Sequence, residues 1–307
     1  MRLTKYFFYL SPIIAFIIAI SIRQANEGSL GSYSNPIRFY FTPSVNANTI
    51  SFNAKVLTDY LHEKTGYYFR TAVPASYIAV VEAFGTDKVD IAAINTFSYL
   101  MANAKYGAEA RLRVVRQGQT SYCGQIMTRY DSGIDSLSEL EGKTFAYVDP
   151  SSTSGYILAK ALFDSLGIRL GQTVFAMQHP NVVTMIYQRR VDAGAAYYAP
   201  PDQKTGKMMD VRARVLQEFP DVEKKVKIIG FTQYIPNDPI VFRKNLSESM
   251  KNTITDALLE FVNTPQGKKA WEEIYDVTGL VRTNDSDYNG LRALLEKQHI
   301  NFEKLVK

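Results

Sequence analysis

The 307-residue sequence contains one cysteine, three histidines and one tryptophan. A single cysteine closes no internal disulfide and builds no cysteine-rich metal site. That residue, Cys123, lies in the strand-like run YCGQIMT and is expected to be a buried, inert thiol. The histidines, His62, His179 and His299, offer few bases for a nucleophile. The chain has no GxSxG elbow, no GxGxxG or Walker loop and no HExxH spacing. Serine hydrolase, nucleotide-dependent and zinc chemistry are therefore not signalled. The acidic pairs Glu139/Glu141 and Glu272/Glu273 read as exposed helix positions. Trp271 falls in a C-terminal helical pattern and is expected in the core.

A strong charge of either sign is also lacking. The formal net charge is +5, and Arg2, Lys5 and Arg23 flank an apolar N-terminal stretch; taking those three cations from +5 leaves +2 for the rest. A body this close to neutral is not a nucleic-acid binder by charge. The alternation Arg111, Arg113, Arg116 reads as the solvent face of a strand.

Long hydrophobic runs are confined to the N-terminus. Residues 6–22, YFFYLSPIIAFIIAISI, follow the basic start MRLTK. A charged n-region before an apolar h-region is the pattern of an export signal, here within residues 1–25. At about 17 residues the run also reaches the lower limit of a membrane span, so an uncleaved anchor is the competing reading. Ala19-Ile20-Ser21 is a passable small-x-small cleavage site. Either reading places residues 30–307 on the extracytoplasmic side.

The rest alternates strand and helix patterns. IRFYF (37–41), YYFRTAV (67–73), VDIAAI (89–94), TFAYVD (144–149), TVFAM (173–177) and VDAGAAY (191–197) read as strands, with amphipathic helical runs between most of them. Such alternation predicts an α/β fold with parallel sheets covered by helices on both faces. Two lobes are expected: residues 35–127 plus 230–307, and an insert of 128–229. Two chain crossings between them would form a hinge beside an interlobe cleft.

Ligands of open α/β sheets bind beyond the carboxyl ends of the strands. Four strand-to-helix junctions meet that condition: TPSVNANTIS (42–51), INTFS (94–98), DPSSTSG (149–155) and MQHPN (177–181). All are rich in Ser, Thr, Asn or His, and none carries Lys or Arg. The first turn of a helix leaves backbone N–H groups unpaired and carries about half a positive charge, so it attracts oxyanions without a cationic side chain. Each junction alone is explained by helix capping. Ser152, Thr153 and Ser154 together exceed what one cap needs, Gly155 permits close approach, and His179 opens a helix at the same sheet end. The four junctions together point to a small oxyanion and to binding without reaction.

Five segments carry a family resemblance: DKVDIAAINTFSY (87–99), YVDPSSTSGY (147–156), the His179 region, QRRVDAGAAYY (188–198) and IPNDPIVFRKNLS (235–247). Over residues 36–300 the chain resembles the phosphonate-type (PhnD-like) periplasmic substrate-binding proteins of ABC transporters, with the type II binding-protein fold. The resemblance implies that a small phosphorus oxyanion (phosphonate, phosphite or phosphate) is captured between two hinged lobes and passed to a membrane permease. It implies a monomer, with no cofactor, metal or catalysis. Ser152, Thr153, Ser154 and His179 would donate to phosphoryl oxygens. Tyr77 resembles the family's cleft tyrosine and Asp238 its acidic cleft residue. Asn95 and Thr96 take the place of an anion-contacting stretch, and Ser44 stands in the first loop. AGAAYYAPPD (193–202) has tyrosines and prolines where an ammonium-binding acid is expected, which argues against an aminoalkyl ligand. Asp238 would accept the P–OH hydrogen that sulfate lacks. The alternatives are an anchored sensor of the same fold or a binder of a different small anion.

Overall fold

The computed structural model describes residues 28–202 and 204–297. The first lobe opens with strand β1 (Ile37–Phe41), helix α1 (Ala47–Thr65), β2 (Phe69–Ala72), α2 (Tyr77–Gly85), β3 (Ile91–Ala93), α3 (Thr96–Tyr106) and β4 (Glu109–Val115). The chain then crosses over. The second lobe contains β5 (Ser121–Arg129), β6 (Phe145–Tyr147), α4 (Leu158–Leu166), β7 (Thr173–Phe175), α5 (His179–Tyr187), β8 (Ala193–Tyr198), β9 (Val226–Phe231) and the short β10 (Ile235–Pro236). The return adds β11 (Pro239–Phe242), α6 (Glu248–Phe261), α7 (Pro265–Tyr275), β12 (Gly279–Arg282) and α8 (Asn289–Lys297) to the first lobe.

Local sequence explains the main elements. In β1, IRFYF alternates buried and half-buried positions, as a strand between two helical layers requires. Helix α1 starts where the Asn46 side chain accepts from the N–H groups of Asn48 and Thr49, and stops at Gly66 in the left-handed conformation. Helix α3 is capped in the same way by Asn95 and Gly107.

The sheets are ordered β12-β4-β11-β3-β1-β2 and β10-β5-β8-β6-β7, with β9 also on β5. Both are mixed rather than purely parallel. Strands β2, β1 and β3 run parallel, and so do β7, β6 and β8. The crossing strands run the other way, β11 against β3 and β4, β5 against β8 and β9. A chain that returns from the opposite lobe enters the sheet from its far end, and this sets the reversal.

The expected lobe boundaries shift for the same reason. Strand β5 was expected to close the first lobe up to residue 127, but its partners are β8, β9 and β10, so it belongs to the second sheet. The crossings fall between β4 and β5 and between β10 and β11.

Each sheet is covered on both faces by apolar clusters. One cluster joins Phe39, Leu57, Phe261 and Trp271, and another joins Val81, Phe97, Leu100 and Leu291. In the second lobe Val148, Val183 and Val211 form one cluster, and Phe145, Leu140 and Phe163 another. The lobes also share core: Ile157 and Leu158 pack into a first-lobe cluster and Tyr77 into a second-lobe cluster. Trp271 and Cys123 are fully buried, as expected, and burial pushes the Cys123 thiol up to about 11. Among the described residues no helix is long and apolar enough to cross a membrane. The signal or anchor reading of residues 1–25 lies outside the described residues.

Candidate functional site

The carboxyl ends of β1, β3, β6 and β8 meet at the interlobe cleft. A cavity of ≈ 60 Å³ lies there, lined by Ser44, Tyr77, Asn95, Ser152, Thr153, Ser154, His179 and Asp238 among others. At roughly 10–15 Å³ per water it holds on the order of four to six waters, the size of a small tetrahedral anion. Of the residues expected to contact the ligand, Thr96 alone does not line it.

The three hydroxyls of DPSSTSG have three different surroundings. Ser152 is the N-cap, its Oγ accepting from the Gly155 N–H at 3.2 Å. A Cβ on Gly155 would lie 2.4 Å from Val148 Cγ2, so only glycine lets the turn fold back on β6. Thr153 donates to Asn95 Oδ1 at 2.8 Å and accepts from the Phe97 N–H at 2.9 Å, both across the cleft. Thr153 was expected to donate to a ligand, but its one hydroxyl hydrogen goes to the other lobe. Ser154 is buried, lines the cavity and lies within hydrogen-bonding reach of Tyr122.

Asn95 and Thr96 also make contacts within the protein. Asn95 Oδ1 accepts from Ser98 N–H and Thr153, and its Nδ2 donates to Ser98 Oγ at 3.0 Å. Thr96 donates to the Pro236 carbonyl at 3.0 Å, with Asp238 Oδ1 at 3.5 Å. Both side chains take part in capping and bracing, while Asn95 Nδ2 keeps a second hydrogen and the residue lines the cavity. Ser44 lines the cavity, and its carbonyl accepts the His179 N–H across the cleft at 3.2 Å.

His179, 7% exposed, starts α5. Its Nδ1 accepts from the Tyr197 N–H at 3.2 Å, which leaves the proton on Nε2. Burial, with the nearby Arg116 charge, lowers its pKa to about 3. The ring is therefore a neutral donor at any ordinary pH.

Tyr77 is 1% exposed, and its hydroxyl has no hydrogen-bond partner. Burial, with the nearby Asp149, raises its pKa well above the usual tyrosine value, so the group keeps its proton. A buried hydroxyl without a partner costs about 1–3 kcal/mol, so this one is poised to meet a ligand acceptor.

Two ion pairs were not legible in the sequence. Arg116 Nη2 meets Asp238 Oδ2 at 2.7 Å, with the Tyr122 hydroxyl 3.3 Å from Asp238 Oδ1. Arg116 thus faces the cleft instead of solvent, because β4 ends at Val115 and a tight turn pairs Arg116 with Gln119. Arg214, from the second lobe, meets Asp276 of the first at 2.8 Å. It also donates to the Glu273 and Glu272 carbonyls at the end of α7, and the Tyr197 hydroxyl donates to Asp276 at 3.0 Å. Tyr122, Tyr275, Arg116, Arg214 and Asp276 all line the cavity. Arg214 and Asp276 lie in opposite lobes, 62 positions apart, and no local pattern announces the pairing.

The cavity therefore offers protonated hydroxyls, a neutral imidazole and helix N-termini, with Arg116 and Arg214 each already matched by a carboxylate. Among the described residues no cluster of three or more His, Cys, Asp or Glu side chains could hold a metal.

Residues 39–288 match the family model described as ABC transporter, phosphonate, periplasmic substrate-binding protein. The chain is 28% identical over 226 residues to the phosphonates-binding periplasmic protein of Escherichia coli, covering 70% of this chain and 62% of that one. It is 25% identical over 280 residues to the phosphate-import protein PhnD of Mycolicibacterium smegmatis, covering 83% of each. Its fold is similar to that of a binding protein component of an ABC phosphonate transporter from Pseudomonas aeruginosa, at TM-score 0.74 and 22% identity over 86% of this chain and 87% of that one. With the model matched over most of its length, the chain belongs to the periplasmic substrate-binding protein family of phosphonate ABC transporters.

Proposed function

We propose that the protein captures a small phosphorus oxyanion outside the cytoplasm and delivers it to an ABC transporter permease, without transforming it. The observation that carries this reading is the unpartnered Tyr77 hydroxyl, buried beside Ser152, Ser154 and neutral His179 in a cavity of ≈ 60 Å³. Uncharged donors of fixed geometry stabilise an anion where water is excluded. Asp238 supplies the selectivity. A carboxylate has about four acceptor positions, and Arg116 and Tyr122 leave room for a further hydrogen. A P–OH group offers that hydrogen; sulfate offers only lone pairs and repulsion. The protein acts as a monomer, and an N-terminal segment at 6–22 either directs export or anchors it.

Calorimetric titration with phosphate, phosphite, methylphosphonate, 2-aminoethylphosphonate and sulfate tests this. The expected result is micromolar or tighter binding of at least one phosphorus anion with sulfate silent. Sulfate binding as tightly as every phosphorus anion, or no binding at all, overturns it.

A further inference from the structure

A second cavity, of ≈ 340 Å³, lies beside the first. The two share Arg116, Tyr122 and Tyr198 as a common wall. On its far side the second cavity is completed chiefly by Gln119, Ser121 and Tyr234. We infer that this space receives the organic substituent of the phosphorus ligand, so that the protein takes substituted phosphonates or phosphate monoesters whose substituent is aromatic or uncharged and polar.

The inference rests on the phosphoryl site proposed above. The first cavity accommodates the head group and little more, while the neighbouring space is several times larger. Arg116 lies over the Tyr122 ring, 5.6 Å from its centroid, and Tyr198 packs edge-on against Phe231 at 4.7 Å. Phe231 and Tyr234 are 48% and 65% exposed, so the outer rim is aromatic and accessible.

The lining sets the chemistry. Three tyrosine rings offer faces and edges to an aromatic group, and Gln119 and Ser121 offer neutral hydrogen bonds. No carboxylate lines the second cavity. The acids of the first, Asp238 and Asp276, are each already matched by an arginine. A substituent ammonium would give up its hydration, find no carboxylate in the second cavity to pair with and meet the like charge of Arg116, so aminoalkyl ligands are disfavoured.

The test compares phenylphosphonate, methylphosphonate and 2-aminoethylphosphonate by calorimetry, on the wild type and on Gln119→Trp. Gln119 is exposed and its backbone carries the turn, so a larger side chain there fills the second cavity without disturbing a core. The wild type is expected to bind phenylphosphonate at least as tightly as methylphosphonate and at least tenfold more tightly than 2-aminoethylphosphonate. Gln119→Trp should weaken phenylphosphonate tenfold or more and change methylphosphonate less than twofold. Methylphosphonate binding with phenylphosphonate tenfold weaker in the wild type overturns this inference alone, as does a variant that shifts both ligands equally or neither. Failure of all three ligands to bind the wild type overturns the oxyanion site itself.

Discussion

The two faces of the cleft are built from different chemistry. The second lobe presents Ser152, Ser154 and His179 at helix starts, a face with hydroxyls and one neutral ring. The first lobe presents Tyr77, Tyr275 and the Arg116–Asp238 pair. One face is suited to hold an anion of any protonation state, because its donors do not titrate. The other carries a carboxylate that distinguishes a protonated oxygen from a bare one. In the proposed function, holding and selecting are thus assigned to opposite lobes, and closure is what combines them.

The largest effect is expected on the holding face. Replacing Ser152 and Ser154 together by alanine should weaken the ligand by about 100-fold or more, since hydrogen bonds to charged groups contribute about 1.5–3 kcal/mol each. Unfolding should show a further loss of about 1 kcal/mol from the Ser152 cap. If affinity falls less than threefold, the hydroxyls serve only as caps.

Tyr77→Phe sharpens the comparison from the other side. Affinity should fall about 10- to 100-fold, while the ligand-free melting temperature stays level or rises. Losing a hydroxyl that has no protein partner removes an unmet desolvation cost. A lowered melting temperature with unchanged affinity would instead make Tyr77 a structural residue.

The next effect is a pH dependence. His179 has a folded pKa near 3, below the unfolded value of about 6.5. Between those values the unfolded chain binds the proton and the folded chain does not. Stability should therefore fall as pH drops through that window, by up to about 1.4 kcal/mol per pH unit from this group. Denaturant titrations at pH 7 and pH 5 should show a smaller difference in His179→Gln than in the wild type.

The smallest effect is expected at the Arg214–Asp276 tie, which touches the lobes rather than the proposed phosphoryl donors. Arg214→Ala should weaken binding only several-fold, about 1 kcal/mol, because the pair is partly solvated. Small-angle scattering of the ligand-free variant should report a more open average shape.

Much of the architecture was legible because hydrophobic periodicity and capping residues act locally. Asn46, Asn95 and Ser152 are helix caps that lie within stretches read as strand-to-helix junctions. What was not legible depends on pairings distant in sequence. Arg116 followed an alternating pattern and was assigned to solvent, because nothing local reveals that β4 ends one residue earlier beside Asp238. Thr153 and Asn95 were each read as ligand contacts, and the bond that joins them across the cleft spans 58 positions. Strand β5 was placed in the wrong lobe for the same reason, since its partners β8 and β9 come later in the chain.

The most direct test of divided holding and selecting is the affinity of phosphate and sulfate for the wild type and for Asp238→Asn. The division predicts opposite shifts. The variant should bind phosphate at least tenfold more weakly and sulfate more tightly than the wild type, because the amide gives up one of the two carboxylate oxygens as an acceptor and puts a donor in its place. If both anions instead tighten together, Asp238 acts only as a repelling charge beside Arg116, and the first lobe does not select by protonation.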